Sequence, residues 1–160
     1  MTIDTQAAPK AQTYRLKTAL LSSGRTHRVI ASTGSPEHAM NIAIKCYAEG
    51  GENAFHSHGG EDHTFIVLAG RAIFHEPDAE SKELGRNEGI LIPAGALYKF
   101  EAVPGEPLVL LRVGNQYKPL EGSSEVVDSD RVAPDGSQLL GNSKENLHVA
   151  GVPIPGAFYE

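Results

Sequence analysis

The chain has 160 residues and a formal net charge of −6, with 14 Lys and Arg against 20 Asp and Glu. Its single cysteine excludes an internal disulfide framework and any metal site built from several cysteines. The negative charge argues against a nucleic-acid partner, because phosphate contacts need clustered cations. No apolar run reaches the length of a membrane-spanning helix, and residues 1–12 lack the apolar core of a secretory signal. We therefore expect a single cytoplasmic domain with no membrane partner.

The predicted elements between residues 14 and 114 are all strands. A content of 17 Gly and 10 Pro favours many short elements joined by turns. Alternation and β-branched residues predict strands over 14–20, 27–32, 40–47, 63–69, 71–75, 89–93, 96–102 and 107–113. The pair 63–69 and 71–75 surrounds Gly70, where we expect a bend or bulge. So many short strands without a helical stripe predict a β-sandwich or barrel.

The predicted barrel leaves two arms, one at each end of the sequence. Residues 1–13 are polar and predict a flexible arm. Residues 115–160 are rich in Ser, Asp, Gly and Pro but contain isolated apolar patches. Because such patches need a surface to cover, we expect this C-terminal arm to pack on the barrel or on a partner subunit.

Three histidines fall within eight residues, at His56, His58 and His63. In a strand, residues i and i+2 project from the same face about 6.6 Å apart, so His56 and His58 can aim at one point. Gly59 and Gly60 permit a tight reversal, after which His63 opens the next strand. This arrangement predicts a metal site in which three imidazoles converge from adjacent strands. The alternative is that these are turn histidines satisfied by backbone carbonyl groups.

The segment around these histidines resembles the first motif of the cupin superfamily, G-x5-H-x-H-x3-4-E-x6-G. Gly50, His56, His58 and Gly70 match it in place. The resemblance implies a cupin-type jelly-roll β-barrel. It assigns the glutamate position to His63, or to Asp62 if the shorter spacing applies, and Glu61 fits less well than either. Because His63 shares a face with the apolar residues of its strand and Asp62 does not, we favour His63 and keep Asp62 as the alternative ligand.

The second cupin motif, G-x5-P-x-G-x2-H-x3-N, is matched at Pro93 and Gly95, and Tyr98 stands at its histidine position. The spacing of the motif is kept while its metal ligand is changed. Tyr98 is therefore a candidate fourth ligand, a hydrogen-bond partner of a metal-bound water, or a residue that lines the pocket. A tyrosine ligates only where the metal lowers its pKa from about 10.

The resemblance implies a metal-binding single-domain cupin, and a metal-dependent oxygenase-type enzyme, or a related lyase or isomerase, is the favoured function. Cupins with three-histidine sites include iron dioxygenases of thiols and of β-diketones. The ion would be Fe, Zn, Ni or Mn, and the substrate a small organic molecule. Predicted pocket residues are Phe65, Val67, Phe100, Leu110 and, if its side chain faces inward, Arg112. The alternatives are a non-catalytic sensor or binding protein and a metal-free structural barrel. The resemblance also implies a homodimer.

Overall fold

The computed structural model describes residues 10–33, 38–117, 131–132 and 150–160. Within these ranges the secondary structure consists of strands alone. Their bounds are β1 Thr18–Ser23, β2 Arg25–Ser32, β3 His38–Tyr47, β4 Gly51–His58, β5 Glu61–Ala69, β6 Ala72–His75, β7 Lys82–Leu84, β8 Gly89–Ile92, β9 Tyr98–Ala102, β10 Leu108–Tyr117, β11 Arg131–Val132 and β12 Val152–Tyr159. In the described part of the chain, no helix has the length and hydropathy needed to cross a membrane.

Two antiparallel five-stranded sheets form the body of the molecule. The first has the order β2-β3-β10-β5-β8 and the second the order β11-β4-β9-β6-β7. Consecutive strands along the chain repeatedly pass from one sheet to the other, as β4 and β5 do and as β5 and β6 do. This double-sheet arrangement confirms the prediction of an all-β jelly-roll barrel.

Strand β5 shows how the sequence alternation orients the barrel. Its burial alternates between buried and half-buried residues, and the buried set from Glu61 to Val67 faces inward. Gly70 follows the strand with a φ of +71°, a left-handed conformation that favours glycine. A Cβ atom there would also lie 2.7 Å from the carbonyl oxygen of Pro107. The predicted bend at Gly70 is therefore the corner at which the chain leaves the first sheet for the second.

The core of the barrel lies between the two sheets. Its side chains come from both inner faces and are at most 7% exposed: Tyr47, Phe65, Val67, Ala72, Phe74, Ile92, Tyr98, Phe100, Ala102, Leu108 and Leu110. Aromatic rings contact one another throughout, and the rings of Phe74 and Phe100 stack with centroids 5.1 Å apart. This packed layer forms one wall of the site described below.

A third layer covers the outer face of the first sheet. Strands β1 and β12 pair antiparallel to form it. Leu21 of β1 is 1% exposed and packs in a second apolar cluster with Ile44, Cys46, Leu68 and Val109. The strand at the end of the sequence therefore lies against the strand at its beginning, outside the barrel.

The strand boundaries differ from the predicted ones mainly at the ends of the barrel. Strand β10 extends to Tyr117, beyond the predicted barrel end at residue 114, and the polar stretch 76–86 contains the short strand β7. Residues 1–9 of the predicted N-terminal arm lie outside the described residues. So do residues 118–130 and 133–149 of the predicted C-terminal arm.

Candidate functional site

The three predicted site histidines come together inside the barrel, from opposite sheets. His56 and His58 lie on β4 in the second sheet, and His63 lies on β5 in the first. The turn at Gly59 and Gly60 therefore joins two sheets and not two paired strands. As a result, the histidines face each other across the interior, whereas the sequence predicted convergence from neighbouring strands.

The imidazole rings form a row in which each contacts the next edge to face. The ring centroids of His56 and His58 are 5.3 Å apart, and those of His58 and His63 are 5.0 Å apart. His56 and His63 are 0% and 2% exposed, whereas the side chain of His58 is 12% exposed. The middle ring of the row, that of His58, is therefore the most exposed of the three.

A local hydrogen bond determines which nitrogen of His56 can act as a ligand. Its Nδ1 lies 2.9 Å from the carbonyl oxygen of Ala54. Because a carbonyl oxygen can only accept, Nδ1 carries the proton in this hydrogen bond and Nε2 holds the lone pair. Such an outer hydrogen bond is the usual way in which a metal-binding histidine is oriented.

Tyr98 contacts all three histidines from the neighbouring strand β9. Its ring centroid lies 4.4 Å from that of His56, 5.4 Å from that of His63 and 6.4 Å from that of His58. Its hydroxyl group is 3.1 Å from Nε2 of His63. Tyr98 is 1% exposed. The residue at the histidine position of the second motif therefore lies within the histidine cluster.

The loop before Tyr98 is fixed to the strands that carry the histidines. The backbone N–H of Gly95 donates to the carbonyl oxygen of His58 over 2.9 Å. The N–H of Ala94 donates to Oδ1 of Asp62 over 2.8 Å. The Asp62 carboxylate, predicted as the alternative ligand, is thus bonded to the backbone of this loop.

Glu61, which the motif spacing disfavoured, brings its carboxylate next to the histidines. It shares the inward face with His63 and is 6% exposed. Its Oε2 lies 3.6 Å from Nδ1 of His58 and 2.6 Å from Nη2 of Arg112. Arg112 does face inward, because Leu108 and Leu110 on the same face of β10 belong to the core. The sequence did contain a sign that Glu61 faces inward, because it lies two and four residues before His63 and Phe65 and so shares their face of the strand.

A buried lysine was also missed by the sequence reasoning. Lys45 lies on β3 opposite Leu110 and is 6% exposed. Its Nζ is 5.3 Å from the ring centroid of Phe65, which in turn contacts the ring of His63 at 5.3 Å. The alternation of β3 carried the signal, since Lys45 falls on the same face as Ala43 and Tyr47, which are both buried.

The predicted pocket residues lie inside the barrel beneath the histidines. Phe65, Val67, Phe100 and Leu110 are each at most 1% exposed, and the rings of Phe65 and Phe100 are 5.4 Å apart. These four side chains belong to one packed cluster. They form the floor of the site.

The ring nitrogens of the three histidines and the nearby carboxylate oxygens lie close together, but they do not surround one point. Among the residues that the structure describes, no group of three His, Cys, Asp or Glu side chains has the arrangement that holds a metal ion. The chemistry of the set nevertheless suits a transition metal, because it consists of neighbouring imidazoles with a carboxylate behind one of them. Coordination by all three histidines would require their rings to turn from the arrangement described.

Fold and side chains together define a jelly-roll barrel with a histidine-rich interior. Residues 43–114 match the family model described as a cupin domain. The chain therefore contains a cupin domain over residues 43–114.

Solved structures of similar fold include the cupin domain of Cnp3 from Schizosaccharomyces pombe. It is 13% identical over 59% of this chain and 65% of that one, with a TM-score of 0.50. KdgF from Halomonas sp. is 16% identical over 61% of this chain and 82% of that one, with a TM-score of 0.49. The DMSP lyase DddQ from Ruegeria pomeroyi is 18% identical over 72% of this chain and 54% of that one, with a TM-score of 0.48. No curated protein sequence matches this chain.

Proposed function

We propose that this cupin is a metal-dependent enzyme of the oxygenase type, with His56, His58 and His63 as the ligands of one divalent transition metal ion. The observation that carries the proposal is the row of three imidazole rings in the barrel interior, in contact with Tyr98. Imidazole is a ligand type that suits iron, nickel or zinc. Iron, when bound, would supply the redox chemistry toward dioxygen.

The charges around the site indicate the class of substrate. Lys45 is 6% exposed, and Arg112, whose side chain is 12% exposed, forms an ion pair with Glu61. Three neutral imidazoles add no charge to a bound divalent cation. Because these imidazoles leave the charge of the cation in place, the metal ion would favour a small anionic organic molecule, such as an enolate or a carboxylate. The apolar floor at Phe65 would contact its hydrocarbon part.

A non-catalytic binding protein is the second candidate, and the packing of the barrel favours it. The floor residues contact one another, as Phe65 and Phe100 do, and so leave little room for a large substrate. A groove of about 570 Å³ lies instead on the outside, lined by residues of β1, β2 and β12, such as Arg28 and Phe158, and by residues before β1, such as Lys17. A protein that only binds a metal ion or a small ligand would need no more interior space.

Metal content and oxygen consumption test these candidates. Protein purified without air is loaded with Fe(II), and oxygen uptake is measured with β-diketones, thiols and catechols. We expect one metal ion per chain and oxygen uptake with at least one anionic substrate. His56→Ala should abolish metal retention, whereas His27→Ala, which removes an exposed histidine of β2, should not.

The outcomes separate the two functions. Metal retention without turnover of any compound in the panel would favour the binding protein. No metal retention, together with a melting temperature unchanged by Fe(II), Zn(II) or Ni(II), would contradict both.

We also propose that the protein is a homodimer that associates through the outer layer. Val152 and Phe158 of β12 are 52% and 49% exposed. Tyr14, which precedes β1 in the sequence, is 46% exposed. Apolar residues exposed together on one strand are typical of association surfaces. Light scattering should give twice the mass of the chain, and Val152→Asp with Phe158→Asp should give the monomer mass.

A further inference from the structure

The inner face of β10 contains a glycine at the point where it passes the histidine cluster. Gly114 is directly opposite His63 in the register of β10 and β5, and Arg112 is opposite Phe65. A Cβ atom at position 114 would lie 1.9 Å from Oε1 of Glu61 and 2.9 Å from Nη1 of Arg112. The ends of the Glu61 and Arg112 side chains would therefore have to move to admit a side chain at position 114. Gly114 thus leaves the space in which the other two side chains meet.

The Glu61 carboxylate in this space interacts with a cation on one side and an imidazole on the other. Arg112 donates from Nη2 to Oε2 of Glu61 over 2.6 Å, with side chains that are 12% and 7% exposed. The same oxygen is 3.6 Å from Nδ1 of His58. At that length the contact with His58 is electrostatic and not a formed hydrogen bond. Because Arg112 holds the carboxylate, its position relative to His58 does not depend on the imidazole.

We propose that Glu61, held by Arg112 in the space left by Gly114, is a positioning residue that keeps the proton of His58 on Nδ1 and presents Nε2 to a bound metal ion. An acceptor beside Nδ1 stabilises the tautomer with the proton there, and carboxylates behind metal-binding histidines act in this way. Ala54 does the same for His56 through its carbonyl oxygen. The inference rests on the proposed metal site, but its effect on the tautomer exists without metal.

The first measurement uses the metal-free wild-type protein. With nitrogen-15-labelled histidine, NMR distinguishes the two neutral tautomers by the chemical shifts of the ring nitrogens. We expect the proton of His58 on Nδ1 in the wild type and a mixture of tautomers in Glu61→Gln. A wild-type His58 protonated on Nε2 would overturn the inference, and this result requires no variant to fold.

The second measurement is the affinity for Ni(II) by calorimetry. We expect Glu61→Gln to bind Ni(II) about 10-fold to 100-fold more weakly, with one ion per chain retained. Glu83→Gln is the matched control, because Glu83 is also paired with an arginine, Arg71, but on the exposed surface. It should leave the affinity and the His58 tautomer unchanged.

The remaining outcomes distinguish this inference from the proposed function. If the wild type binds no Ni(II), Zn(II) or Fe(II) but His58 shows the expected tautomer and Glu61→Gln shifts it, the metal site fails and the positioning role of Glu61 stands. Unchanged affinity and tautomer in a folded Glu61→Gln would overturn the positioning role. X-ray absorption that shows a carboxylate oxygen bound to Ni(II) in the wild type, and lost in Glu61→Gln, would also overturn it, because Glu61 would then be a ligand.

Discussion

The hydroxyl group of Tyr98 lies 3.1 Å from Nε2 of His63, so the residue that replaces the histidine of the second cupin motif interacts with the histidine that replaces the glutamate of the first. The two substitutions thus form one contact across the barrel. In the arrangement described, Tyr98 is the hydrogen-bond partner of a proposed ligand and occupies one of its two ring nitrogens. This relationship makes the role of Tyr98 testable.

Tyr98→Phe should keep the binding of one metal ion per chain. If Tyr98 only hydrogen-bonds to His63, loss of one hydrogen bond changes the affinity by less than about 10-fold. Calorimetry with Ni(II) measures this change, and thermal unfolding confirms that the variant is folded. A loss of metal binding, or a tyrosinate-to-iron charge-transfer band in the Fe(III)-loaded wild type, would show instead that Tyr98 is a ligand.

The sequence predicted the strands and the interior histidines because both follow from local patterns. Two-residue alternation and turn residues determine where strands start and end, and the spacing of His56, His58 and His63 is visible without a structure. The charged residues of the site were harder to foresee. Lys45 and Arg112 lie on separate strands, and only the register of β3 and β10 places both on the inner face near Phe65. Likewise, which of Glu61 and Asp62 faces the cluster depends on where β5 begins.

Gly114→Ala should destabilise the protein because the added methyl group would collide with the Glu61 carboxylate, 1.9 Å away. Moving this carboxylate would disturb its ion pair with Arg112, and extra atoms in a packed interior typically cost about 1–3 kcal/mol. The free energy of unfolding from urea titration measures the effect. Gly59→Ala is the matched control, because a Cβ atom at that position meets nothing within 4 Å. Equal stability of the two variants would contradict the crowding at Gly114.

The thiol of Cys46 should be unreactive in the folded protein. Cys46 is 0% exposed in the apolar cluster of the outer layer, and burial raises its pKa above 9.0, although a backbone hydrogen bond from Leu21 opposes this shift. The native protein should therefore react with a thiol reagent such as DTNB far more slowly than the protein unfolded in guanidinium. A reaction at the same rate in both states would contradict the burial.

The raised pKa of Cys46 also predicts how stability depends on pH. Above the unfolded pKa of 9.0 the unfolded thiol loses its proton while the folded thiol keeps it, so the free energy of unfolding falls as pH rises. Below 9.0 both states are protonated and the contribution is constant. Cys46→Ala has no thiol and therefore lacks this pH-dependent contribution to the free energy of unfolding. Urea titrations of both proteins between about pH 7 and pH 10 should therefore show a steeper decline for the wild type at the alkaline end.

Deletion of residues 151–160 should lower the melting temperature. It removes β12, the antiparallel partner of β1, and exposes part of the apolar cluster around Leu21. At about 2–4 °C per kcal/mol for a chain of this size, a loss of even 2 kcal/mol is detectable by calorimetry. Glu160→Ala removes only the exposed ion pair with Lys17 and should leave the melting temperature within about 2 °C of the wild type. A deletion variant with the same melting temperature as the wild type would show that β12 contributes nothing to stability.

Lys45→Met should weaken the binding of an anionic ligand. Methionine preserves the length and apolar stem of the side chain but removes a charge that is 94% buried, since Lys45 is 6% exposed. Thermal unfolding confirms that the variant is folded. If Lys45 attracts anionic substrates, Ni(II)-loaded Lys45→Met should bind acetylacetonate about 10-fold more weakly, as loss of one charged hydrogen bond implies. Lys99→Met is the matched control, because Lys99 also lies over an aromatic ring, that of Phe55, at 5.0 Å. Weakening of acetylacetonate binding by both substitutions to the same extent would show that net charge, and not the position of Lys45 in the barrel, determines the affinity.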